Sequence, residues 1–196
     1  MPKTSTPKAS DKTAALAKSA SIEAKAEAVQ AQTTEQKGEK DKFEVKPAFH
    51  CRMRAIGQKV LTTMADVQPK AVALWEVFTK RMTEPKVLYP GSFGVSVMLS
   101  EKPEDAFEYW AVVPATPDSE VPEGMEVLIV EPCDYVEVTT TLDKMQEVFA
   151  FMFGEWAQKN PEQKLSTTLP NLEWYPPNHS DTQELTICFP LEKKKE

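Results

Sequence analysis

Apolar and polar residues alternate in several short stretches of the chain, a pattern typical of strands that bury one face. This alternation predicts strands at residues 49–55, 93–99 and 107–113, at 125–138 with an interruption near Pro132, and at 185–189. The polar segment 100–105 joins the second and third of these runs, so together they predict a β-hairpin.

Two longer segments place apolar residues three and four positions apart, which is the spacing of one helix face. The first such set is Ala71, Leu74, Trp75, Phe78 and Met82, and the second is Met145, Val148, Phe149, Met152 and Trp156. The order strand–helix–strand–strand therefore occurs twice, which indicates an internal duplication. A Tyr-Pro step at Tyr89 and again at Tyr175 supports this interpretation, as do the steps Val113-Pro114 and Phe189-Pro190.

The first 42 residues differ in composition from the rest. They contain no Phe, Trp or Tyr, and Lys, Ala, Glu, Thr and Ser dominate them. A segment with so little to bury cannot offset the entropy of ordering its backbone. We therefore predict a disordered low-complexity tail at 1–42, or alternatively a docking arm for an acidic partner. A folded domain is predicted at 43–192, with halves at about 45–115 and 122–192.

Charge and cysteine content narrow the function classes. The tail contains 8 Lys and 6 Asp or Glu, so its net charge is +2. Because the whole chain has a formal net charge of −7, the remaining residues together carry −9. Such an acidic domain is a poor surface for nucleic acid, which needs clustered Lys and Arg. No apolar run approaches the ~20 residues of a membrane span.

Three cysteines without a CxxC pair indicate a reducing, cytoplasmic setting. Two histidines without ligand spacing predict neither a metal site nor a cofactor.

The segment Leu172-Glu173-Trp174-Tyr175-Pro176-Pro177 is the strongest candidate for chemistry. In an extended chain Glu173 and Tyr175 share one face, and Leu172 and Trp174 share the other. If the first face lines a cavity, an acid and a phenol line it together; if it faces water, the segment is only a strand with an aromatic patch. A carboxylate among rings is costly to desolvate unless protonation, hydrogen bonds or a bound cation compensates. A buried arrangement would favour bulky cationic or mixed-polarity ligands.

Several short motifs together resemble a known family. They are Tyr135 within a strand, Gly154-Glu155-Trp156 near the end of a helix, the Glu-x-Tyr step at Glu173, and, more loosely, the strand Tyr109–Val113. With these motifs the chain resembles the GyrI-like small-molecule-binding domain, the effector-binding module of AraC- and MerR-type transcription regulators, over about residues 45–192. The resemblance implies an α+β fold: duplicated β-α-β-β halves forming one curved antiparallel sheet with two main helices, and a ligand cleft where the halves meet.

The resemblance also implies a site. Glu173 would anchor a lipophilic, possibly cationic molecule, and Trp110 and Tyr135 would line the same cleft. Our hypothesis adds Trp174 and Tyr175 to this aromatic wall. Tyr89 joins this set only through the internal repeat. The leading hypothesis is a stand-alone small-molecule-binding protein that, lacking a DNA-binding domain, does not contact nucleic acid directly.

Two other functions stay open. In a hydrolase of strained electrophilic molecules, Glu173 would act as general base on water while Tyr175 or Tyr89 protonates the leaving oxygen. In a protein-interaction module, such as a gyrase-inhibitor-like protein, the acidic domain would contact a basic DNA-binding surface. The residues favour binding over turnover, since no Ser-His-Asp set or phosphate loop can be assembled.

Overall fold

The computed structural model describes residues 42–100, 102, 105–180 and 183–193. Within these ranges the chain forms one eight-stranded sheet in which every neighbouring pair is antiparallel. Its strands are β1 (Lys46–His50), β2 (Met53–Thr62), β3 (Ser92–Met98), β4 (Phe107–Pro114), β5 (Glu126–Val130), β6 (Cys133–Thr141), β7 (Asn171–Tyr175) and β8 (Glu184–Pro190). The spatial order is β1-β6-β8-β7-β3-β4-β2-β5. The predicted disordered tail lies outside the described residues, apart from Lys42.

Both predicted helical regions are present. Helix α1 spans Val67–Phe78 and is shorter than the apolar spacing out to Met82 predicts. After Thr79 the backbone hydrogen bonds change from i→i−4 to i→i−3, with Lys80 N donating to Val77 O and Arg81 N donating to Phe78 O, so the chain continues in turns. The second region begins with a 3-10 turn at Leu142–Lys144 and continues as α2 (Met145–Phe151), a π-helical stretch (Met152–Trp156) and a last turn at Ala157–Lys159.

The duplication is visible in the backbone hydrogen bonds that close each half. Leu88 N donates to the Pro114 carbonyl at 2.8 Å, and Ser166 N donates to the Pro190 carbonyl at 2.8 Å. Two more backbone hydrogen bonds correspond in the same way. The bond from Thr116 N to the Lys86 carbonyl matches that from Glu192 N to the Lys164 carbonyl, and the bond from Ala115 N to the Arg54 carbonyl matches that from Leu191 N to the Asp134 carbonyl. The prediction of duplicated β-α-β-β halves in a curved antiparallel sheet with two helices is therefore confirmed: the units are β2-α1-β3-β4 and β6-α2-β7-β8.

Two details of the predicted pattern are wrong. The run 125–138 is not one interrupted strand, because β5 pairs with β2 in the first half whereas β6 pairs with β1 and β8. Each half thus takes its outermost strand from the segment that precedes the other half. The two Tyr-Pro steps are also not equivalent, since Tyr89-Pro90 precedes β3 whereas Tyr175 is the last residue of β7.

The sheet has two different faces. On the helix face, the side packed against α1 and α2, the apolar core includes Trp75, Phe78, Val148, Ile187 and Phe189. On the opposite face a smaller cluster includes Phe93, Val95, Trp110, Tyr135 and Leu172. Within the described ranges, none of the helices has the length and apolar character of a membrane span.

Candidate functional site

The two halves meet at the centre of the sheet, where β3 pairs with β7. Five residue pairs form this contact, and Gly94 opposite Glu173 is the middle one. The pairing follows from the duplication, because β3 and β7 are the corresponding strands of the two halves. Glu173 therefore lies at the junction of the halves, where the family resemblance places a ligand site.

Glu173 is enclosed on the helix face. The residue is only 6% exposed, and its Oε2 atom accepts hydrogen bonds from the hydroxyls of Tyr109 at 2.8 Å and Tyr175 at 2.9 Å. Trp75 Nε1 in turn donates to the Tyr109 hydroxyl at 3.1 Å. The alternation of Glu173 and Tyr175 against Leu172 and Trp174 is as predicted. The first pair faces the helices, and the second contributes to the cluster on the opposite face.

Gly94 makes room for this contact. A Cβ atom at this position would overlap the Tyr109 hydroxyl and the Glu173 carboxylate. Glycine inside a strand gives up packing and costs conformational entropy, so it is expected where other groups approach the backbone closely. At Gly94 those groups are a phenol from β4 and an acid from β7, one from each half.

The surroundings of Glu173 disfavour the charged form of its carboxyl group. Burial raises the pKa of Glu173, and the hydrogen bonds from Tyr109 and Tyr175 oppose that shift only in part. Burial, reinforced by the nearby carboxylate, raises the pKa of both tyrosines well above its usual value, so both remain hydrogen-bond donors at neutral pH. In the described part of the chain no Lys, Arg or His forms an ion pair with Glu173.

Two aromatic rings pack against Tyr175, the phenol beside Glu173. The Trp75 ring, on α1, meets Tyr175 edge-on with centroids 5.3 Å apart. The ring of His179, a residue only 2% exposed, meets the same tyrosine edge-on at 5.3 Å. His179 follows the Pro176-Pro177 step and the left-handed residue Asn178, which turn the chain back over the end of β7. Both rings contact the phenol that donates to Glu173, so α1 and the segment after β7 contribute to the enclosure of the site.

The structure separates the other predicted site residues from Glu173. Trp110 lies on the opposite face of the sheet. Lys59 Nζ is 4.8 Å from the centroid of the Trp110 ring, and Trp110 Nε1 donates a hydrogen bond to the Glu108 carboxylate. Tyr135 and Trp174 belong to that same cluster. Tyr89 is 42% exposed, and its hydroxyl is 3.8 Å from Met53 Sδ. The ligand-binding roles assigned to these four residues stay predictions, on a different surface from the acid.

Three residues around Glu173 were not predicted from the sequence: Tyr109, Trp75 and Gly94. A signal existed for two of them. Gly94 lies inside a strand, where glycine often marks a close approach by another group, and Tyr109 is adjacent to Trp110, so that one of the two must face the helices. Which of the two faces Glu173 depends on the register between β3, β4 and β7. Short sequence motifs do not reveal how these strands pair, so that register could not be predicted from them.

A family model described as Cass2, integron-associated effector binding protein, matches residues 52–191. No curated protein sequence matches the chain significantly.

Several solved structures share the fold. SAV2435 bound to tetraphenylphosphonium is 11% identical with a TM-score of 0.58, covering 76% of this chain and 94% of that one. The integron cassette protein from the mobile metagenome of Vibrio cholerae is 17% identical with a TM-score of 0.56, covering 76% and 95%. The C-terminal domain of EcmrR is 14% identical with a TM-score of 0.52, covering 78% and 99%. With the family match, these likenesses confirm the resemblance to GyrI-like effector-binding domains.

Proposed function

Because this chain belongs to the family of integron-associated effector-binding proteins, we propose that it binds a bulky lipophilic cation with Glu173 as the charge anchor. The observation that carries the proposal is a buried carboxyl group with two phenol donors and no cationic partner among the described residues. A buried acid that is part of no ion pair costs several kcal/mol if charged. A ligand cation would remove that cost.

The surroundings of Glu173 suit such a ligand. Trp75, Tyr109 and Tyr175 provide aromatic rings on the same face, and rings next to a desolvated cation contribute ~0.5–2 kcal/mol each. The tyrosine hydroxyls hold the carboxylate in place, so it does not need to reorganise when the cation arrives. A primary ammonium or a small hydrated ion would gain less, because its hydration is lost without replacement donors or acceptors.

Binding requires an opening step. Glu173 is 6% exposed, so a bulky ligand reaches it only when Trp75 on α1 or His179 after β7 moves away. The free protein is then mostly in a closed state, and the apparent affinity is reduced by the fraction that is open. We expect association slower than diffusion for this reason.

Tetraphenylphosphonium is a suitable test ligand, since SAV2435, which shares the fold, is described as bound to it. Intrinsic tryptophan fluorescence reports binding, because Trp75 lies beside the tyrosines that hold Glu173. We expect saturable quenching in the wild type and an affinity lower by about tenfold or more in Glu173→Gln, a loss of about 1.4 kcal/mol. The matched control is Glu131→Gln, an exposed acid paired with Arg52, which should bind as the wild type does. Equal affinity in Glu173→Gln would reject the proposal.

A second candidate is hydrolysis of a strained electrophilic ring. The contact between the Tyr175 hydroxyl and Glu173 at 2.9 Å favours it, because an acid of raised pKa beside a phenol is a pair suited to proton transfer. Mass spectrometry of an epoxide or cyclopropane substrate after incubation tests for product. Turnover that disappears in Tyr175→Phe while ligand binding persists would favour the enzyme over the binding protein.

The proposed partner is therefore a small molecule and not nucleic acid, as the −9 charge of the region after the tail also favours. We place the protein in the cytoplasm because all three cysteines are free thiols, as reducing compartments keep them.

A further inference from the structure

Three potential metal ligands meet on the face of the sheet opposite Glu173. They are His50 at the end of β1, Glu137 in β6 and Cys188 in β8, and their ligand atoms all lie within 4.8 Å of one another. We propose that these three side chains form a binding site for a divalent transition metal, with Zn²⁺ as the ion that fits best. The site is independent of the proposed cation anchor.

Strand pairing creates the cluster. Glu137 lies directly opposite Cys188 in the β6–β8 pair, and the β1–β6 pair brings the third ligand from a strand that precedes the first half. The ligands come from positions 50, 137 and 188, so no local spacing in the sequence reveals them. The expectation of no metal site was based on local spacing only.

The donor set selects the class of ion. Imidazole nitrogen and thiolate sulfur suit Zn²⁺ and its neighbours, whereas Mg²⁺ and Ca²⁺ require oxygen ligands. Bond lengths of about 2.0–2.3 Å to a tetrahedral Zn²⁺ place ligand atoms roughly 3.5 Å apart, so small side-chain rotations from the observed spacing suffice. With a thiolate and a carboxylate the bound ion is neutralised. The thiol proton leaves to solvent when the metal binds.

The His50 side chain is not fully satisfied within the described residues: its Nε2 atom is buried without a hydrogen-bond partner there. In the same ranges the Glu137 carboxylate forms no ion pair, and Lys46, opposite it in the β1–β6 pair, pairs with Glu44 at 3.2 Å. An unpaired buried nitrogen is destabilising and rare in native structures, so its position needs an explanation. A metal ion would provide one.

Neighbouring groups hold the ligands and leave a route in. The Tyr135 ring meets the His50 ring edge-on with centroids 5.0 Å apart, which restrains its rotation. Cys188 is 1% exposed, whereas His50 and Glu137 are half-buried, so an ion can enter from their side. The fourth tetrahedral position would then be taken by water, as in sites with three protein ligands.

Titration of the reduced full-length protein with Co²⁺ tests the site. Thiolate bound to tetrahedral Co²⁺ gives a charge-transfer band and intense visible bands, and Zn²⁺ should displace the ion and remove them. We expect one Co²⁺ per chain. The affinity should fall by about tenfold or more in Cys188→Ser and in His50→Gln, since even changes outside the ligand set cost on the order of 10–100-fold.

Two further variants guard against trivial outcomes. Cys51→Ser removes an exposed thiol next to His50 and should bind Co²⁺ as the wild type does. Glu137→Gln alters a half-buried position, and its metal-free thermal unfolding should match that of the wild type while its affinity falls. Absence of a thiolate band in the wild type, or loss of the band in Cys51→Ser but not in Cys188→Ser, would overturn the proposal.

Discussion

The Tyr109 hydroxyl donates a hydrogen bond to Glu173 Oε2 across 2.8 Å, although the two residues are 64 positions apart and belong to different halves of the fold. This contact joins β4 of the first half to β7 of the second, across the backbone of Gly94 in β3. Both halves of the duplicated fold thus contribute side chains to the surroundings of one buried carboxyl group.

Gly94→Ala should separate the pair. The added Cβ overlaps the Tyr109 hydroxyl and the Glu173 carboxylate, and overpacking of this kind costs about 1–3 kcal/mol. Urea unfolding measures the loss. Gly154→Ala is the matched control, because a Cβ there meets nothing within 4 Å and helix propensity favours alanine. Equal effects of the two substitutions would show that the close approach at Gly94 is unimportant.

Replacing either phenol should raise the pKa of Glu173 further. Tyr109 and Tyr175 donate hydrogen bonds that favour the charged carboxylate, so Tyr109→Phe and Tyr175→Phe each remove a contribution that lowers the pKa. Each variant should also lose about 1–3 kcal/mol of stability, the usual range for a hydrogen bond to a charged or buried acceptor. Carbon-detected NMR titration of the Glu173 carboxyl measures the shift. Tyr89→Phe, which alters a 42% exposed ring, should leave it unchanged.

Glu173→Gln should change how stability depends on pH. Because burial raises the folded-state pKa above the ordinary 4.5, the folded protein retains a proton that the unfolded chain loses as pH rises through that window. Wild-type stability therefore falls across the window, by about 1.4 kcal/mol for each unit between the two pKa values. The glutamine variant, which cannot titrate, should gain stability relative to wild type over the same range and then stay level.

A pH series of urea unfolding measures this gap, with Glu131→Gln as the exposed control. A gap that is constant with pH, or that closes as pH rises, would show that Glu173 is not held in its protonated form by burial.

The two faces of the sheet can be distinguished by tryptophan substitution. Trp75→Phe removes the donor to Tyr109 next to Glu173 and should weaken tetraphenylphosphonium binding by about fivefold, or ~1 kcal/mol. Trp110→Phe acts on the opposite face and should change the affinity by less than about twofold. Isothermal calorimetry compares the two. The reverse order would place the ligand beside Trp110, Tyr135 and Trp174, where the family resemblance predicted an aromatic wall.

Most of the fold could be predicted from the sequence, because strand and helix periodicity are local properties. The two amphipathic helices and the 93–99/107–113 hairpin were found in this way. The exchange of edge strands was not, because only Glu131 and Pro132 separate β5 from β6, and the two strands together look like one interrupted strand. Only the pairing of β5 with β2, across 69 to 77 positions, distinguishes them.

The site was predictable in part. The Glu-x-Tyr step correctly identified an acid and a phenol on one face, since alternation along a strand is fixed by backbone geometry. The aromatic partners were not identified, because Tyr109 and Trp110 are adjacent and only their strand register decides which one meets Glu173. The cluster of His50, Glu137 and Cys188 was missed for the same reason.

In the proposed mode of binding, Glu173 is a buried acid that exchanges its proton for a ligand cation. Calorimetric titration of tetraphenylphosphonium in buffers of different ionisation enthalpy measures this exchange directly. At a pH above 4.5 but below the raised pKa, the wild type should release about one proton per cation bound, and Glu173→Gln should release none. Binding without proton release throughout the acidic range, or equal release by the variant, would contradict the claim.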